Sequence, residues 1–210
     1  MLRILIADDH PVFRRGLKQI IQETADMVVA AEAVDGREAL LKARTGDYDV
    51  VLLDITMPIK NGVDVLSQLK HERPTLPVLM LSMHPEEQYA VRALRAGASG
   101  YLTKESAPEE LVAAIRKVST GGKYVSASLA ERLASMVQED GGPLPHETLS
   151  GREYQIMRLI AAGRTVSEAA RELSLSVKTV STYRARVLGK LRLKNTAELI
   201  RYATKNELVE

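Results

Sequence analysis

The sequence lacks cysteine entirely and contains no apolar run long enough to cross a membrane. Without cysteine the chain forms neither disulfides nor thiolate metal sites, which fits a reducing compartment. A membrane-spanning helix needs about 20 consecutive apolar residues, and the first residues lead straight into a strand pattern instead of a signal-peptide layout. We therefore expect a soluble, cytoplasmic protein with no membrane partner.

Charge is distributed unevenly along the chain, although the formal net charge is only +2. Residues 1–119 contain 15 basic and 17 acidic side chains, whereas residues 148–210 contain 12 basic and 6 acidic ones. A basic carboxyl-terminal part is typical of proteins that bind nucleic acids. An ordinary solvated surface gives the same excess, so charge alone leaves both interpretations open.

Short β-branched runs alternate with amphipathic stretches through residues 1–119. The runs predict strands at Arg3–Ala7, Val28–Val34, Asp49–Leu53, Val78–Leu81 and Gly100–Thr103. The stretches between them predict helices at Pro11–Glu23, Gly36–Arg44, Gly62–His71, Pro85–Ala96 and Ala107–Val118. Repeated strand–helix units favour a parallel sheet with right-handed crossovers. We expect a flavodoxin-like, doubly wound α/β domain, (βα)5, with strand order 2-1-3-4-5.

Acidic residues follow two of the predicted strands. Asp8 and Asp9 follow the first strand, and Asp54 follows the third. These strands are neighbours in the expected order, so the three carboxylates meet at the sheet edge where such folds bind ligands. Like charges that close raise one another's pKa or recruit a cation. Because all the ligand atoms are oxygens, the sequence predicts a Mg²⁺ site.

Two further polar residues, Ser82 and Lys104, follow the fourth and fifth strands and lie on the same rim. A carboxylate beside Mg²⁺ can attack a phosphoryl group, and this transfer depends on positioning and charge neutralisation. Lys104 would supply a fixed positive charge, and Ser82 would supply a hydroxyl. Each residue alone is more often a turn, cap or surface residue, but their coincidence at four strand ends indicates a site.

Residues 1–119 resemble the receiver domain of two-component response regulators. The motifs that carry the resemblance are Leu5-Ile6-Ala7-Asp8-Asp9-His10, Leu53-Asp54-Ile55-Thr56-Met57-Pro58 with Asn61-Gly62, Leu81-Ser82, and Gly100-Tyr101-Leu102-Thr103-Lys104. The resemblance implies that Asp54 accepts a phosphoryl group from the phosphohistidine of a sensor histidine kinase. It also implies Mg²⁺ on Asp8, Asp9, Asp54 and the Thr56 carbonyl.

The same resemblance makes Ser82 and Tyr101 the switch pair, with Lys104 binding the phosphoryl group. Tyr101 is expected to turn inward after phosphorylation. One position departs from the family: Glu105 follows Lys104 where many receivers have proline. The loop after the fifth strand is therefore expected to be set differently.

Two classes of enzyme fit this fold but not these residues. A dinucleotide-binding enzyme has a glycine-rich turn after the first strand, where Asp8-Asp9-His10-Pro11 stands. A Mg²⁺-dependent aspartyl phosphatase of the haloacid-dehalogenase kind has a second aspartate where Thr56 stands. We expect a chain that supports its own aspartyl phosphorylation and dephosphorylation but is no stand-alone enzyme. A receiver that serves only for dimerisation is the other alternative.

A linker region follows residue 119. Gly121-Gly122 predicts a turn, Ser126–Gln138 a short amphipathic helix, and Gly141–Pro145 a break. The helix could pack on either domain or on a partner, and its pattern does not choose. We predict a receiver domain over residues 1–119, a linker with a short helix over 120–147, and a helical domain over 148–210.

From residue 148 onward the pattern predicts a small all-α domain of four helices. Capping boxes at Ser150–Glu153 and Thr165–Glu168 predict two helix starts. Ser176 and Asn195 are the expected N-caps of the other two helices. Gly163 is expected to end the first helix.

The stretch Val177–Arg192 has five basic residues and no acidic one. At about 100° per residue, its apolar face has Val180, Val187, Leu188 and Leu191. Its opposite face has Lys178, Ser181, Thr182, Ala185, Arg186 and Gly189. Small residues would let this face enter a major groove while the cations meet phosphates; an ordinary surface helix is the alternative. Arg184 lies near the apolar stripe, and we expect it to be structural and paired with Glu153.

Residues 148–203 resemble the LuxR-type helix-turn-helix, and a receiver with this module is the layout of the NarL/FixJ group. The motifs are Leu149-Ser150-x-Arg152-Glu153, Glu168-Ala169-Ala170-x-x-Leu173 and Val177-Lys178-Thr179-Val180-x-x-Tyr183. The resemblance implies that helix 177–191 recognises double-stranded promoter DNA. Bases would face Ser181, Thr182 and Ala185. Phosphates would contact Arg164, Lys178, Arg186, Lys190 and Lys194, with a strong salt dependence.

Together these features predict a transcription regulator switched by phosphorylation of Asp54. Phosphorylation would either free the DNA-binding module or assemble a homodimer. By resemblance, helices Pro11–Glu23 and Ala107–Val118 are the candidate dimer surface. The sequence identifies neither the kinase nor the promoters.

Overall fold

The computed structural model describes residues 1–83, 86–138 and 144–209. The chain forms two compact units, Met1–Glu139 and Asp140–Glu210. The predicted break at residues 141–143 and the predicted helix start at Pro85 lie outside the described residues. Within the described part of the chain, every helix is too short or too polar to span a bilayer.

The first unit is built on a five-stranded parallel sheet with the order β2-β1-β3-β4-β5. Its strands are β1 (Leu2–Ala7), β2 (Met27–Ala33), β3 (Val50–Asp54), β4 (Val78–Ser82) and β5 (Gly100–Thr103). The predicted fold class and strand order are confirmed. β3 and β4 are buried along their whole length, as expected for central strands that are covered on both faces.

Five helices alternate with these strands: α1 (Pro11–Gln22), α2 (Gly36–Thr45), α3 (Gly62–Glu72), α4 (Glu86–Arg95) and α5 (Pro108–Ser119). Proline at the first turn starts α1 and α5, where its missing N–H is not needed. Asp35 accepts hydrogen bonds from the backbone N–H groups that begin α2, and Asn61 does the same for α3. These caps place each helix start next to the strand end that precedes it.

The main apolar core lies between the sheet and the helices α1 and α5. Ile4, Ile6, Leu52, Leu79 and Ile115 belong to it, and each is fully buried. Full burial of one such side chain contributes roughly 1.5–3 kcal/mol. This core fixes the strands rigidly and so positions the side chains at their carboxyl ends.

The linker helix, α6 (Ala127–Gln138), belongs to the first unit. It contacts α4, and its Leu129 is only 2% exposed. The sequence pattern left open where this helix packs, and the structure places it on the first unit.

Over residues 144–209, the second unit has a 3₁₀ turn (Pro145–Thr148) and four helices: α7 (Gly151–Ala161), α8 (Val166–Glu172), α9 (Val177–Lys190) and α10 (Thr196–Lys205). The predicted helix starts are confirmed, because side chains of Ser150, Thr165, Ser176 and Asn195 accept from the first turns. Gly163 follows α7 with φ of 85°, a left-handed conformation that suits glycine.

Candidate functional site

The three predicted carboxylates meet at the carboxyl edge of the sheet. Asp8 and Asp9 follow β1, Asp54 ends β3, and β1 pairs with β3 in parallel. One ligand atom from each, together with one from His10, lies within 4.8 Å of the others. Asp8 is 0% and Asp54 1% exposed, so two of the three carboxyl groups face each other away from water.

Lys104 reaches into this cluster from the end of β5. Its Nζ lies 2.6 Å from Asp8 Oδ2 and 2.8 Å from Asp54 Oδ2, and its side chain is 3% exposed. Its backbone N–H donates to the carbonyl of Ser82, which fixes the loop that follows β5. Its ammonium also lies 4.7 Å from the centre of the Phe13 ring. One cation therefore neutralises part of the charge on two buried acids.

Burial dominates the protonation of Asp54. It raises the pKa of this carboxyl to about 6, against the attraction of Lys104 and with repulsion from Asp8 adding to the rise. The backbone N–H of Thr56 donates to Asp54 Oδ1 at 3.1 Å and favours the ionised form. Asp54 is thus a carboxylate whose charge the protein alone stabilises poorly.

Two oxygens of the cluster are buried and have no hydrogen bond of suitable geometry among the described residues: Asp8 Oδ2 and Asp9 Oδ1. Lys104 Nζ lies 2.6 Å from the first and His10 Nδ1 lies 2.9 Å from the second, but neither contact has the geometry of a hydrogen bond. Buried acceptors of this kind are expensive unless something satisfies them. Oxygen donors with spare lone pairs are the set that Mg²⁺ prefers.

The remaining predicted residues of the receiver surround this cluster. Ser82 ends β4 and is fully buried beside Thr103 in the sheet register. Tyr101 on β5 is 0% exposed, so its ring already occupies the buried position that we expected it to reach on phosphorylation. Thr56 is next to Asp54 through the backbone bond given above, and the role of its carbonyl stays a prediction.

The sequence reasoning did not assign His10 a role in the site. Its ring is 60% exposed at the mouth of the cluster, and Nδ1 lies 3.3 Å from Asp8 Oδ1. Its backbone N–H donates to the same Asp8 oxygen at 2.8 Å. The signal was available, because His10 directly follows the two acids and precedes the proline that starts α1.

In the second unit, α9 has the two faces that its sequence predicts. Val180, Val187 and Leu191 are buried. The predicted outer face is exposed at Lys178, Ser181, Thr182, Ala185, Arg186 and Gly189. The Arg186 guanidinium lies 5.6 Å from the Tyr183 ring centre, which restrains this cation on the outer surface. Arg164 and Lys194 are also exposed.

The predicted pairing of Arg184 with Glu153 is wrong. The guanidinium of Arg184 donates to Thr196 Oγ1 at 3.1 and 2.5 Å, and Thr196 is the first residue of α10. Glu153 instead accepts from Lys190 Nζ at 2.6 Å. Burial opposes ionisation of Glu153, but Lys190 and the Ser150 N–H together hold its pKa below the usual value. Lys190, predicted to meet DNA phosphate, is thus engaged within its own unit.

Comparison with known proteins decides the family. Residues 4–116 match the model described as "Response regulator receiver domain", and residues 147–203 match "Bacterial regulatory proteins, luxR family". The chain belongs to the response regulators of the NarL/FixJ group. It is accordingly a DNA-binding regulator of a two-component system and not an enzyme of the ordinary kind.

Similarity to individual response regulators extends over the whole chain. It is 35% identical over 209 residues to the response regulator UvrY of Escherichia coli K12, covering 99% of this chain and 96% of the relative. It is 35% identical over 210 residues to the response regulator GacA of Pseudomonas protegens, covering 100% and 99%.

Solved structures agree with this assignment. RcsB from Salmonella enterica serovar Typhimurium, bound to promoter P1flhDC in the presence of the phosphomimetic BeF3⁻, is similar with a TM-score of 0.60 and 26% identity. That match covers 96% of this chain and 97% of RcsB. The response regulator ChrA of a heme-sensing two-component system is similar with a TM-score of 0.53 and 30% identity, covering 99% and 98%.

Proposed function

We propose that Asp54 is the phosphoacceptor through which a sensor histidine kinase controls this regulator. The observation that supports the proposal is the convergence of two buried acids and one buried lysine on a single point. In the proposed step, an Asp54 carboxylate oxygen attacks the phosphorus of a phosphohistidine. A P–O bond forms, the P–N bond breaks, and the electron pair leaves with the kinase imidazole.

The surrounding residues have separate tasks in this proposal. Asp8, Asp9, Asp54 and the Thr56 carbonyl would hold Mg²⁺, which supplies positive charge to the transferring phosphoryl oxygens. Lys104 would turn part of its attraction from Asp54 to a phosphoryl oxygen. Ser82 would donate its hydroxyl to another, and Tyr101 would remain buried behind it.

The test is covalent labelling by a small phosphodonor such as a phosphoramidate, followed by mass measurement of the intact chain. The unmodified chain is expected to gain one phosphoryl group in Mg²⁺ and none in excess chelator. Asp54→Asn is expected to gain none in either. Asp9→Asn keeps the acceptor but lacks one of the proposed Mg²⁺ ligands. Its labelling with Mg²⁺ should therefore be no greater than its labelling in excess chelator. Labelling of Asp54→Asn at the rate of the unmodified chain would move the phosphoacceptor elsewhere.

For the second unit we propose that the outer face of α9 enters the major groove of promoter DNA. We also propose that the protein acts in the cytoplasm. The supporting observation is the exposed face with small residues Ser181, Thr182 and Ala185 at its centre. Lys178, Arg186, Arg164 and Lys194 would meet phosphates from its edges. Lys190 would join them only if DNA draws it from Glu153.

We propose further that the active form is a homodimer through α1 and α5. Val12 on α1 is 80% exposed, and a cavity of about 240 Å³ opens between these helices, lined by Phe13, Gly16, Leu111 and other mostly apolar residues. Apart from its chain neighbours and the backbone of its own helix, no atom of the described residues lies within 4 Å of a Cβ built on Gly16, which leaves room for a second chain. Sedimentation with and without beryllofluoride tests this: Val12→Glu should keep the chain monomeric in both states.

A further inference from the structure

The outer edge of β5 is covered by the segment that follows α5. The backbone N–H of Tyr124 donates to the Ser99 carbonyl at 2.9 Å, and the N–H of Tyr101 donates to the Tyr124 carbonyl at 3.2 Å. Gly100 and Tyr124 form a parallel bridge, and Lys123 Nζ adds a bond to the Ala98 carbonyl at 2.7 Å. Exposed edges invite pairing with another chain, and residues 123–125, named here the clamp segment, occupy this one.

Gly100 shows how closely the clamp segment approaches. A Cβ at this position would lie 2.6 Å from the Tyr124 carbonyl oxygen and 2.9 Å from the Tyr124 Cβ. Both contacts are closer than real Cβ atoms allow. The absence of a side chain at position 100 is therefore what permits the bridge to form.

The clamp segment acts on the backbone of Tyr101, which the resemblance to receiver domains makes one member of the switch pair. Tyr101 pairs with Met80 on the inner side of β5 and with Tyr124 on the outer side. Because the backbone angles of a residue decide which side-chain rotamers it can adopt, fixing the Tyr101 backbone from both sides restricts its ring. The ring is fully buried in this arrangement.

The clamp segment also leads directly into α6. Three residues after Tyr124 the helix begins at Ala127, and α6 contacts α4, which in turn contacts β5. Leu129 is buried in the first unit. β5 is thus connected to α6 in two ways. One runs through the packing of α4 against both elements, and the other runs through the backbone hydrogen bonds of Tyr124.

We propose that Tyr124 is a positioning residue for the Tyr101 switch. Its carbonyl accepts from the Tyr101 N–H, and its own N–H donates to the Ser99 carbonyl and keeps that carbonyl in place. Together these two bonds hold Tyr101 in the buried position and carry changes at β5 into α6, and so along the chain toward the DNA-binding unit. This inference rests on the proposed phosphorylation of Asp54 for its input. Its own content is the coupling between Tyr101 and α6.

The decisive variant is Tyr124→Pro, which removes the N–H that donates to Ser99. Tyr124→Ala is its matched control, since it removes the ring and keeps the N–H. Both are made in the full chain labelled with fluorotyrosine, in which Tyr101→Phe identifies the resonance of Tyr101 among the seven tyrosines. Amide hydrogen exchange of residues 127–134 is measured with and without Mg²⁺ and beryllofluoride.

In the unmodified chain and in Tyr124→Ala, beryllofluoride is expected to shift the Tyr101 resonance and to change exchange in α6. In Tyr124→Pro the change in α6 should fall by about fivefold or more, the range of ordinary allosteric couplings. Binding of beryllofluoride itself should persist. Gly100→Ala, which pushes the clamp segment away with a Cβ, should behave like Tyr124→Pro.

The proposal would be overturned if beryllofluoride changed the amide exchange of α6 as much in Tyr124→Pro as in the unmodified chain. An equal loss in Tyr124→Ala would also overturn it, because ring packing would then explain the coupling. The positioning role can also be measured without beryllofluoride. The Tyr101 resonance should broaden or shift in Tyr124→Pro and stay in place in Tyr124→Ala. The opposite pattern would contradict the positioning role of Tyr124. Failure of the unmodified chain to bind beryllofluoride counts against the phosphoacceptor assignment and leaves this resonance test intact.

Discussion

The acidic cluster of the receiver and the outer face of α9 solve opposite physical problems. In the cluster, Asp8, Asp54 and Lys104 come from three strand ends far apart in sequence and lie buried in mutual contact. On α9 the proposed DNA-facing residues come from one helix and stand in solvent. Charges in the cluster interact strongly because water is excluded from between them. Charges on α9 are screened by water and salt unless a polyanion binds. The difference teaches that a chemical site needs side chains from several strands brought together by the fold, while the base-facing part of a docking face needs only one correctly oriented helix.

Lys104→Met should give the largest effect, because it keeps the stem of the side chain and leaves two buried acids without their cation. We expect a loss of about 3–5 kcal/mol in the free energy of unfolding at pH 7 without Mg²⁺, smaller when Mg²⁺ is added. Amide hydrogen exchange of the β3 residues, followed at increasing urea concentrations, measures this loss of stability. Lys18→Met is the matched control: its partner Glu32 is 3.0 Å away and the pair is partly exposed, so roughly 0–1 kcal/mol is expected. Equal losses in the two variants would remove the distinction between buried and exposed charge.

Asp54→Asn should have the opposite sign. Because the pKa of Asp54 is about 6 in the folded chain and the ordinary value for this carboxyl is 3.8, the folded chain holds this proton more tightly than the unfolded chain. The stability that protonation provides is present below pH 4 and is lost as pH rises through 6. We expect the variant to match the unmodified chain near pH 4 and to exceed it by about 2–3 kcal/mol at pH 7 without Mg²⁺. Urea unfolding across this range measures the difference, and a gap that does not vary with pH contradicts the stated cause.

Alternation of strands and helices made the sheet order predictable, and the order alone brought Asp8, Asp9 and Asp54 together. Helix caps were predictable for a similar reason, since a cap and its N–H groups are neighbours in the chain. Contacts between elements were not predictable in this way. The choice of Lys190 over Arg184 by Glu153 depends on the angle at which α9 crosses α7, and no periodicity encodes that angle. The bridge at Tyr124 is too short to leave an alternating pattern.

The corrected pair in the second unit gives a smaller expected effect. Glu153→Gln should lower the free energy of unfolding by about 1 kcal/mol at pH 7, since Lys190 is partly exposed. The pKa of Glu153 is depressed in the folded chain, so its contribution is present above pH 4.5 and is lost as pH falls through the depressed value. A double-mutant cycle measures the pairing directly. Glu153 should couple to Lys190→Met and should not couple to Arg184→Met; coupling to Arg184 alone would restore the original prediction.

Lys178→Ala should change the free energy of unfolding least. It tests the exposed face of α9, whereas Lys104→Met tests the buried cluster. Its side chain is exposed on the outer face of α9, so its removal leaves no buried group without a partner, and we expect less than about 0.5 kcal/mol in unfolding. Its effect should appear only with DNA present. The slope of the logarithm of DNA affinity against the logarithm of salt concentration is expected to become shallower by about 1, for one lost phosphate contact, uniformly across DNA sequences. Fluorescence anisotropy on a random-sequence duplex at several salt concentrations measures it, with Lys205→Ala, on α10, as the control. An unchanged slope would mean that the exposed charges of α9 do not face phosphate, and that this surface is a solvated helix face like any other.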